Sequence, residues 1–132
     1  MTIDFLKKND FKALTTLPIY SLAKSINEKG EGDNKIIFVT SFGFVIARSV
    51  IGTKNIEEPT NEEDNMRFLF QSALKTRDEF MKENDNLNLL KENTSFILED
   101  VQIRNYEGTI TNLPTMILFS DAIQGLTIGD IS

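Results

Sequence analysis

The stretch MILFSDAIQGLTIGDI, residues 116–131, contains the last two β-rich segments of the chain, which meet at Ser120 and Asp121. Apolar residues alternate with small or polar ones on both sides of that point, which is typical of short strands. Asp121 is expected to shape a sharp turn by bonding nearby backbone. Gly125 suits a strand that bends tightly or is closely approached by another backbone. We therefore interpret this stretch as the closing part of a small sheet and not as a ligand-handling element.

Residues 35–52 are predicted to form a β-hairpin on which those last strands would close. The arms KIIFVT and FVIARSVIG are rich in β-branched and aromatic residues, as strands are. Gly43 lies between the arms and can take the positive φ that a short hairpin loop requires. Both arms are nearly continuous in apolar character, so both faces of the hairpin are expected to be partly covered.

The segment SFILEDVQIRN, residues 95–105, alternates in polarity and predicts a further strand. Adjacent strand residues point to opposite faces, so Glu99 and Asp100 are not expected to share a proton or flank one bond as a catalytic pair would. One face is predicted to carry Phe96, Leu98, Asp100 and Gln102, and the other Ile97, Glu99, Val101 and Ile103. A loop containing Gly108 and Pro114 is predicted to follow this strand.

Residues 1–34 are predicted to hold two helices separated by Pro18. Thr2 can cap the first helix. The second covers residues 19–26, where apolar positions recur at helical spacing. The segment NEKGEGDN, residues 27–34, is a loop by its glycines and turn-forming residues.

The strongest helical pattern covers residues 61–84, with Thr60 or Asn61 as the predicted cap. Its apolar stripe is expected to be buried, because one face of an amphipathic helix packs against the rest of the protein. The stripe consists of Met66, Leu69, Phe70, Ala73, Leu74, Phe80 and Met81. The opposite face is predicted to be solvated and consists of Lys75, Asp78, Glu79, Lys82 and Glu83. A short helical piece is also predicted at residues 87–90.

The residue inventory argues against most catalytic chemistry. The chain has 132 residues with no histidine and no cysteine. It therefore lacks the commonest general base, the commonest metal ligand and any thiol nucleophile. Ser21, Ser41 and Ser120 consequently have no histidine to activate them. No pattern in the sequence indicates a catalytic serine–lysine pair.

Acidic and glycine-rich stretches do not indicate a ligand either. The acidic residues at 57–58 and 62–64 lack the spacing and turn glycine of a calcium loop. They are typical of a polar linker and a capped helix start. Gly30 and Gly32 fit neither of the glycine-rich phosphate-binding patterns. The sequence therefore predicts no catalytic residue, no cofactor and no metal site.

Charge is unevenly distributed along the chain. The formal net charge is −6, composed of +3 in residues 1–56, −5 in residues 57–92 and −4 in residues 93–132. An acidic protein is poorly suited to tight binding of a phosphate backbone, which needs clustered lysine and arginine. The sequence shows neither a signal-peptide pattern nor an apolar run of roughly 20 residues, so a cytoplasmic protein is predicted.

The order of the segments resembles the Sm-like small-barrel family, in which an N-terminal helix precedes three strands, a loop, and two strands joined by a tight turn. The resemblance covers about residues 36–52 and 96–131, where FILEDVQI is similar to the family's third strand and LFSDAIQGLTI to its closing pair. It implies a barrel that is closed by the last two strands. These strands would also meet a neighbouring subunit edge to edge. RNA-binding members have a basic turn where this chain has Ser120 and Asp121, and a short Asp…Asn loop where it has residues 53–94. The resemblance therefore implies the fold without the RNA pocket.

These patterns predict one α+β domain over residues 1–132, in which a small bent antiparallel sheet or barrel carries N-terminal helices and one long inserted helix. Its C-terminal strands occupy residues 95–131. The function expected is that of a non-enzymatic interaction or assembly protein, forming homo-oligomers or binding a protein partner through sheet edges. Two alternatives stay open. One is an Sm-like RNA-binding protein that uses the net-positive first segment and Arg48 or Arg104, and the other is an acidic inhibitor or immunity-type protein that occupies a basic partner.

Overall fold

The computed structural model describes residues 11–30, 32–52, 56–83 and 94–131, which form two α-helices and one five-stranded sheet. The α+β class is confirmed. The cap predicted at Thr2 and the helical piece predicted at residues 87–90 lie outside the described residues. The elements in chain order are α1 (Phe11–Glu28), β1 (Lys35–Val39), β2 (Gly43–Ile51), α2 (Glu62–Glu83), β3 (Ser95–Asn105), β4 (Ile110–Phe119), a 3-10 turn (Ser120–Ala122) and β5 (Gly125–Gly129).

The sheet is antiparallel throughout, in the order β4-β3-β2-β1-β5. β1 pairs with β2, which confirms the predicted hairpin. β4 and β5 lie at opposite edges and are not paired with each other in the described sheet, which is therefore open. Gly43 has a φ of 148°, and a Cβ on it would collide with the carbonyl oxygen of Arg104 on β3. The hairpin thus requires glycine here both for its backbone angle and for its close contact with β3.

The sheet is strongly bent, because its two edge strands follow each other in the chain. The strand registers give the position of each edge strand along β2. Gly125 at the start of β5 lies level with Phe44, near the start of β2, whereas Phe119 at the end of β4 lies two residues past the level of Ile51, the last residue of β2. In a flat sheet these two ends would stand roughly 35 Å apart, from about 3.3 Å per residue along a strand and about 4.8 Å between strands. The chain from Phe119 to Gly125 reaches at most about 22 Å. The offset along the strands, about 30 Å, already exceeds this reach, so the strands themselves must curve as well as the sheet to bring the two ends together.

The face of β3 that points into the core changes at Asp100, which has a φ of 54°. Phe96 and Leu98 before it belong to the core, and so does Val101 after it. The predicted alternation, which placed Asp100 on the same face as Phe96 and Leu98, is therefore wrong. The register with β2 is the same on both sides of Asp100, so no residue is inserted. Aspartate is one of the few residues that enter this left-handed region at modest cost, which suits it to this kink.

The core fills the inside of the bend, and α1 covers it. The rings of Phe38 and Phe96 have centroids 6.0 Å apart at its centre. Ala13 and Leu17 of α1 pack into the same cluster. The buried members from the strands and the final turn are Ile36, Phe38, Val45, Ala47, Val50, Phe96, Leu98, Val101, Leu118 and Ile123. Residues from every strand except β5 are thus buried together, with Leu126 of β5 packed against them.

α1 continues through Pro18, so the prediction of two helices separated by this proline is wrong. A proline inside a helix removes the hydrogen bond to the carbonyl four residues earlier, which here belongs to Leu14. Leu14 and Pro18 both lie on the exposed side of the helix, where water can bind that carbonyl. Burial of Ala13 and Leu17 on the opposite side holds the helix together across the proline.

α2 confirms the helix predicted over residues 61–84. The cap is Asn61, whose side-chain oxygen accepts a hydrogen bond from the backbone N–H of Asp64 at 3.0 Å. The predicted burial of the whole apolar stripe is wrong, because Leu74 alone among its seven members is buried. Met66, Leu69 and Phe80 are exposed, at 40%, 59% and 57% respectively. The buried face of the helix is centred on Gln71 and Leu74, while Phe70 and Met81 are half-buried.

β4 begins at Ile110, so the loop predicted to extend to Pro114 is wrong. The turn before it is short because Asn105 organises it. The side-chain oxygen of Asn105 accepts hydrogen bonds from the backbone N–H groups of Glu107 and Thr109, at 3.1 and 2.8 Å. Pro114 lies inside β4, a position that proline can occupy because β4 is an edge strand.

Ser120, and not Asp121, fixes the turn between β4 and β5. The backbone N–H of Ser120 donates to the carbonyl of Thr94 at 2.8 Å, and the Ser120 hydroxyl accepts from the Thr94 N–H at 3.0 Å. The Asp121 side chain is exposed and forms no hydrogen bond with the described part of the chain, so its predicted role is wrong. Gly125 meets only ordinary contacts, since a Cβ there would lie 3.7 Å from the Val39 side chain.

Candidate interaction surface

β4 forms one edge of the sheet. It pairs with β3 along its length and with no other strand among the residues described. Such an edge presents unpaired backbone donors and acceptors that can pair with another chain. The two ends of β4 carry exposed apolar side chains, Ile110 at 53% and Phe119 at 55% exposure. Pro114 has no backbone donor, so the edge offers two short stretches for pairing, one on each side of the proline.

An exposed aromatic cluster, defined as Phe42, Phe44 and Tyr106, lies at the end of the sheet where β4 begins. The rings of Phe44 and Tyr106 meet edge to face, with centroids 5.5 Å apart and an interplanar angle of 80°. The Tyr106 hydroxyl donates a hydrogen bond to the carbonyl of Thr40 at 2.7 Å, which fixes its ring. Rigid aromatic side chains lose little conformational freedom on binding. The aromatic cluster is therefore a pre-organised apolar surface.

The aromatic cluster and the β4 edge form one continuous surface. The registers place Phe44, Arg104 and Ile110 opposite one another in a row across β2, β3 and β4. Arg104 donates to the side-chain oxygen of Gln102. The Gln102 amide in turn donates to the side-chain oxygen of Asn112 at 3.2 Å. These bonds hold the polar part of the surface in place beside its apolar part.

The second edge, β5, is shorter and has α1 nearby. Its five residues pair with β1 and with no other strand in the described ranges. A cleft of about 360 Å³ separates α1 from the start of β5, with Lys12 and Thr15 on one side and Gly125 and Leu126 on the other. The side chain of Thr127 is exposed. β5 thus offers a narrower edge than β4 for another chain.

Arg48, one of the two arginines considered for RNA binding, is held by two carboxylates. Its guanidinium donates to both carboxylate oxygens of Asp33, at 2.5 and 3.1 Å, and to Asp100 at 2.9 Å. Hydrogen bonds from these acids raise the pKa of Arg48 further above its usual value. The hydrogen bond from Arg48 likewise holds the pKa of Asp33 below its usual value. A phosphate would have to displace both acids to reach this arginine.

Glu99 and Asp100 each lie beside a different arginine. Glu99 lies 3.7 Å from Arg67 of α2, whereas Asp100 bonds to Arg48. Burial raises the pKa of Glu99 and outweighs the attraction of Arg67, while the nearby charges of Asp64 and Asp100 raise it further. The two carboxylates therefore have different environments.

The other residues weighed from the sequence are scattered across the fold. Ser21 lies on α1, Ser41 in the exposed tip of the β1–β2 hairpin, and Ser120 is buried in the 3-10 turn. Gly30 and Gly32 have φ values of 75° and 137° in the loop after α1, where they serve the turn. No group of three or more ligating side chains converges within the described ranges, including residues 57–58, 62 and 64.

Among the described residues, the geometry defines an α+β domain whose sheet has two unpaired edges and an exposed aromatic surface at the end of one of them. Comparisons with protein-family models, curated proteins and solved structures give no match. Within the described ranges, neither helix combines the length and the apolar character that a bilayer-spanning segment requires.

The aromatic cluster was missed from the sequence, although a signal for it was present. Phe42 lies between the two hairpin arms, and Tyr106 lies in the predicted loop after β3. Large aromatic residues in turns have no strand or helix periodicity that would direct them to a core. Their position at turns therefore indicated exposure, but their proximity to each other depends on the register of β2 with β3.

Proposed function

We propose that this chain is a non-enzymatic assembly protein that self-associates through the edges of its sheet, with β4 as the principal edge. The observation that carries the proposal is the β4 edge itself, which is unpaired along ten residues in the described sheet and has exposed Ile110 and Phe119 at its ends. A second copy could extend the sheet by pairing backbone groups with this edge. A cytoplasmic location belongs to the same proposal.

The aromatic cluster supports a protein partner at this edge. Tyrosine, phenylalanine and arginine are enriched where proteins contact each other, and the surface beside β4 contains Phe44, Tyr106 and Arg104. Pairing along β4 would bring a second chain over Ile110 and toward these side chains. Backbone pairing and apolar burial would then act together in one contact.

The Sm-like family stays part of this proposal. The features that support it are a helix before the strands, three strands before the last two, and a short turn that joins those last two at the sheet edges. α2 and the segments around it occupy the position of the family's short loop. RNA binding receives less support, because Arg48 is engaged by Asp33 and Asp100.

The experiment is light scattering combined with size-exclusion chromatography over micromolar concentrations. Self-association predicts a mass above the 15.0 kDa of a single chain, which falls on dilution. Ile110→Lys and Phe119→Lys place charges at the two ends of β4 without disturbing buried residues, and each should shift the equilibrium toward single chains. Leu22→Lys is the matched control, because Leu22 is 52% exposed on α1.

A mass of one chain at every concentration would overturn self-association. An assembly that survives both β4 substitutions but is lost in Leu22→Lys would place the contact on α1 instead. Circular dichroism and thermal unfolding of each variant show whether a change in mass reflects the edge or loss of the fold.

A further inference from the structure

A polar cleft of about 470 Å³ lies between α1 and the end of β2. It falls within the size range of small-molecule sites, about 300–1,000 Å³. One face of α1 lines it, with Tyr20, Lys24 and Glu28 one helical turn apart and Ser25 beside Lys24. Ser49 on β2 is among the residues opposite. The cleft is distinct from the β4 edge and the aromatic cluster.

Charges of both signs meet in this polar cleft. Lys24 contributes an ammonium group, whereas Glu28 and Glu99 contribute carboxylates. Lys24 and Glu28 are four residues apart on α1, a spacing at which such side chains commonly pair. Within the part of the chain that the structure describes, neither side chain forms an ion pair or a hydrogen bond. Each is therefore available to a ligand from solvent.

Glu99 differs from Glu28 in its surroundings. Its side chain is 27% exposed and lies near Arg67, on the α2 side. Burial raises its pKa, so its ionised form would gain more than an exposed carboxylate from a cation placed beside it. Glu28, by contrast, is exposed at the mouth of the cleft. The cleft thus has one partly buried carboxylate, Glu99, and one exposed carboxylate, Glu28.

We propose that the polar cleft binds a small zwitterion of the α-amino-acid class. The ligand's ammonium group lies beside Glu28 and Glu99, and its carboxylate lies beside Lys24. Hydroxyl groups of Ser25, Ser49 and Tyr20 supply further hydrogen bonds. A simple amine would make no use of Lys24, and a simple carboxylate would gain nothing from the two acids, which would repel it.

The test is isothermal titration calorimetry of the full chain with a panel of free amino acids at up to about 10 mM, a range that detects weak binding. Ethylamine and acetate serve as probes that carry one charge each. At least one amino acid should bind, and each single-charge probe should bind about tenfold more weakly or worse. An absence of heat from the whole panel, or either ethylamine or acetate binding as tightly as the best amino acid, would overturn the proposal.

Substitutions test whether the amino acid binds in the polar cleft. Lys24→Met and Glu28→Gln should each weaken the best amino acid by about tenfold, the loss of one charged contact. Lys75→Met, an exposed lysine on α2, should leave it unchanged. Unaltered binding in Lys24→Met and Glu28→Gln would overturn the assignment. The mass of the assembly is measured separately, so failure here is distinguishable from failure of self-association.

Discussion

α1 and α2 both pack on one sheet, but they do so by different means. α1 buries Ala13, Leu17 and Ala23 on its inner side, and the first two belong to the main core. α2 buries Leu74 and the polar Gln71. Two hydrogen bonds also attach it: Gln71 donates to the carbonyl of Gly52 at 2.6 Å, and Arg77 donates to the Ser95 hydroxyl at 2.7 Å.

The contrast shows what helical periodicity can and cannot establish. The apolar pattern of α2 is the more regular of the two and identifies the helix correctly. Its apolar stripe, however, is wider than the face that is buried among the described residues. Met66, Leu69 and Phe80 therefore lie exposed. α1 has a proline in its interior and a weaker pattern, yet it supplies the core because it lies over the inside of the bend.

The largest effect is expected in α1, from Leu17→Ala. Leu17 is 6% exposed and packs in the core, so its truncation should lower the free energy of unfolding by about 2–4 kcal/mol. Leu22→Ala is the matched control on the same helix, because Leu22 is 52% exposed. Its effect should stay within about 0.5 kcal/mol. Urea denaturation followed by circular dichroism measures both, and equal losses would show that α1 packs through another face.

A smaller effect is expected in α2, from Leu74→Ala. Leu74 is 7% exposed but lies outside the main core cluster, so the loss should be about 2 kcal/mol, at the lower end for a buried leucine. Leu69→Ala, at 59% exposure, should change the free energy of unfolding by no more than about 0.5 kcal/mol. If Leu69→Ala were the more damaging substitution, the exposed stripe of α2 would have to be buried in solution, for example between copies.

The polar attachment of α2 is tested by Gln71→Met, which keeps the length of the side chain and removes its donor. The carbonyl of Gly52 would lose the hydrogen bond that Gln71 provides, and the expected loss of stability is about 1 kcal/mol. Thr76→Ala, an exposed substitution on the same helix, is the control. A Gln71→Met protein as stable as the unaltered chain would indicate that α2 is held by apolar burial alone.

Local sequence patterns predicted most helices and strands of the fold. They did not predict the contacts that form between these elements. The hairpin, the helix after Asn61 and the α+β class follow from periodicity and turn residues. The kink at Asp100 does not, because the alternation of β3 continues through it in the sequence. The turn at Ser120 depends on Thr94, which lies far away in the chain. The candidate surface likewise depends on a register that brings Phe44 and Tyr106 together.

The smallest expected effect concerns Glu99, which lies beneath α2 near Arg67. Burial raises its pKa in the folded state. The folded state therefore favours the protonated carboxyl, and this stabilisation is complete below the unfolded pKa and is lost as pH rises through the folded pKa. At pH 7 the ionised carboxylate opposes folding, so Glu99→Gln should stabilise the protein there, by less than about 1 kcal/mol.

The advantage of Glu99→Gln should disappear at acidic pH, where the unaltered carboxyl is itself neutral. Parallel urea titrations at neutral and acidic pH measure the difference, with Glu79→Gln on the exposed side of α2 as the control. A Glu99→Gln protein that is less stable at pH 7 would show that attraction to Arg67 outweighs burial. α2 would then be held by an ion pair as well as by its hydrogen bonds to Gly52 and Ser95, which would enlarge its difference from α1.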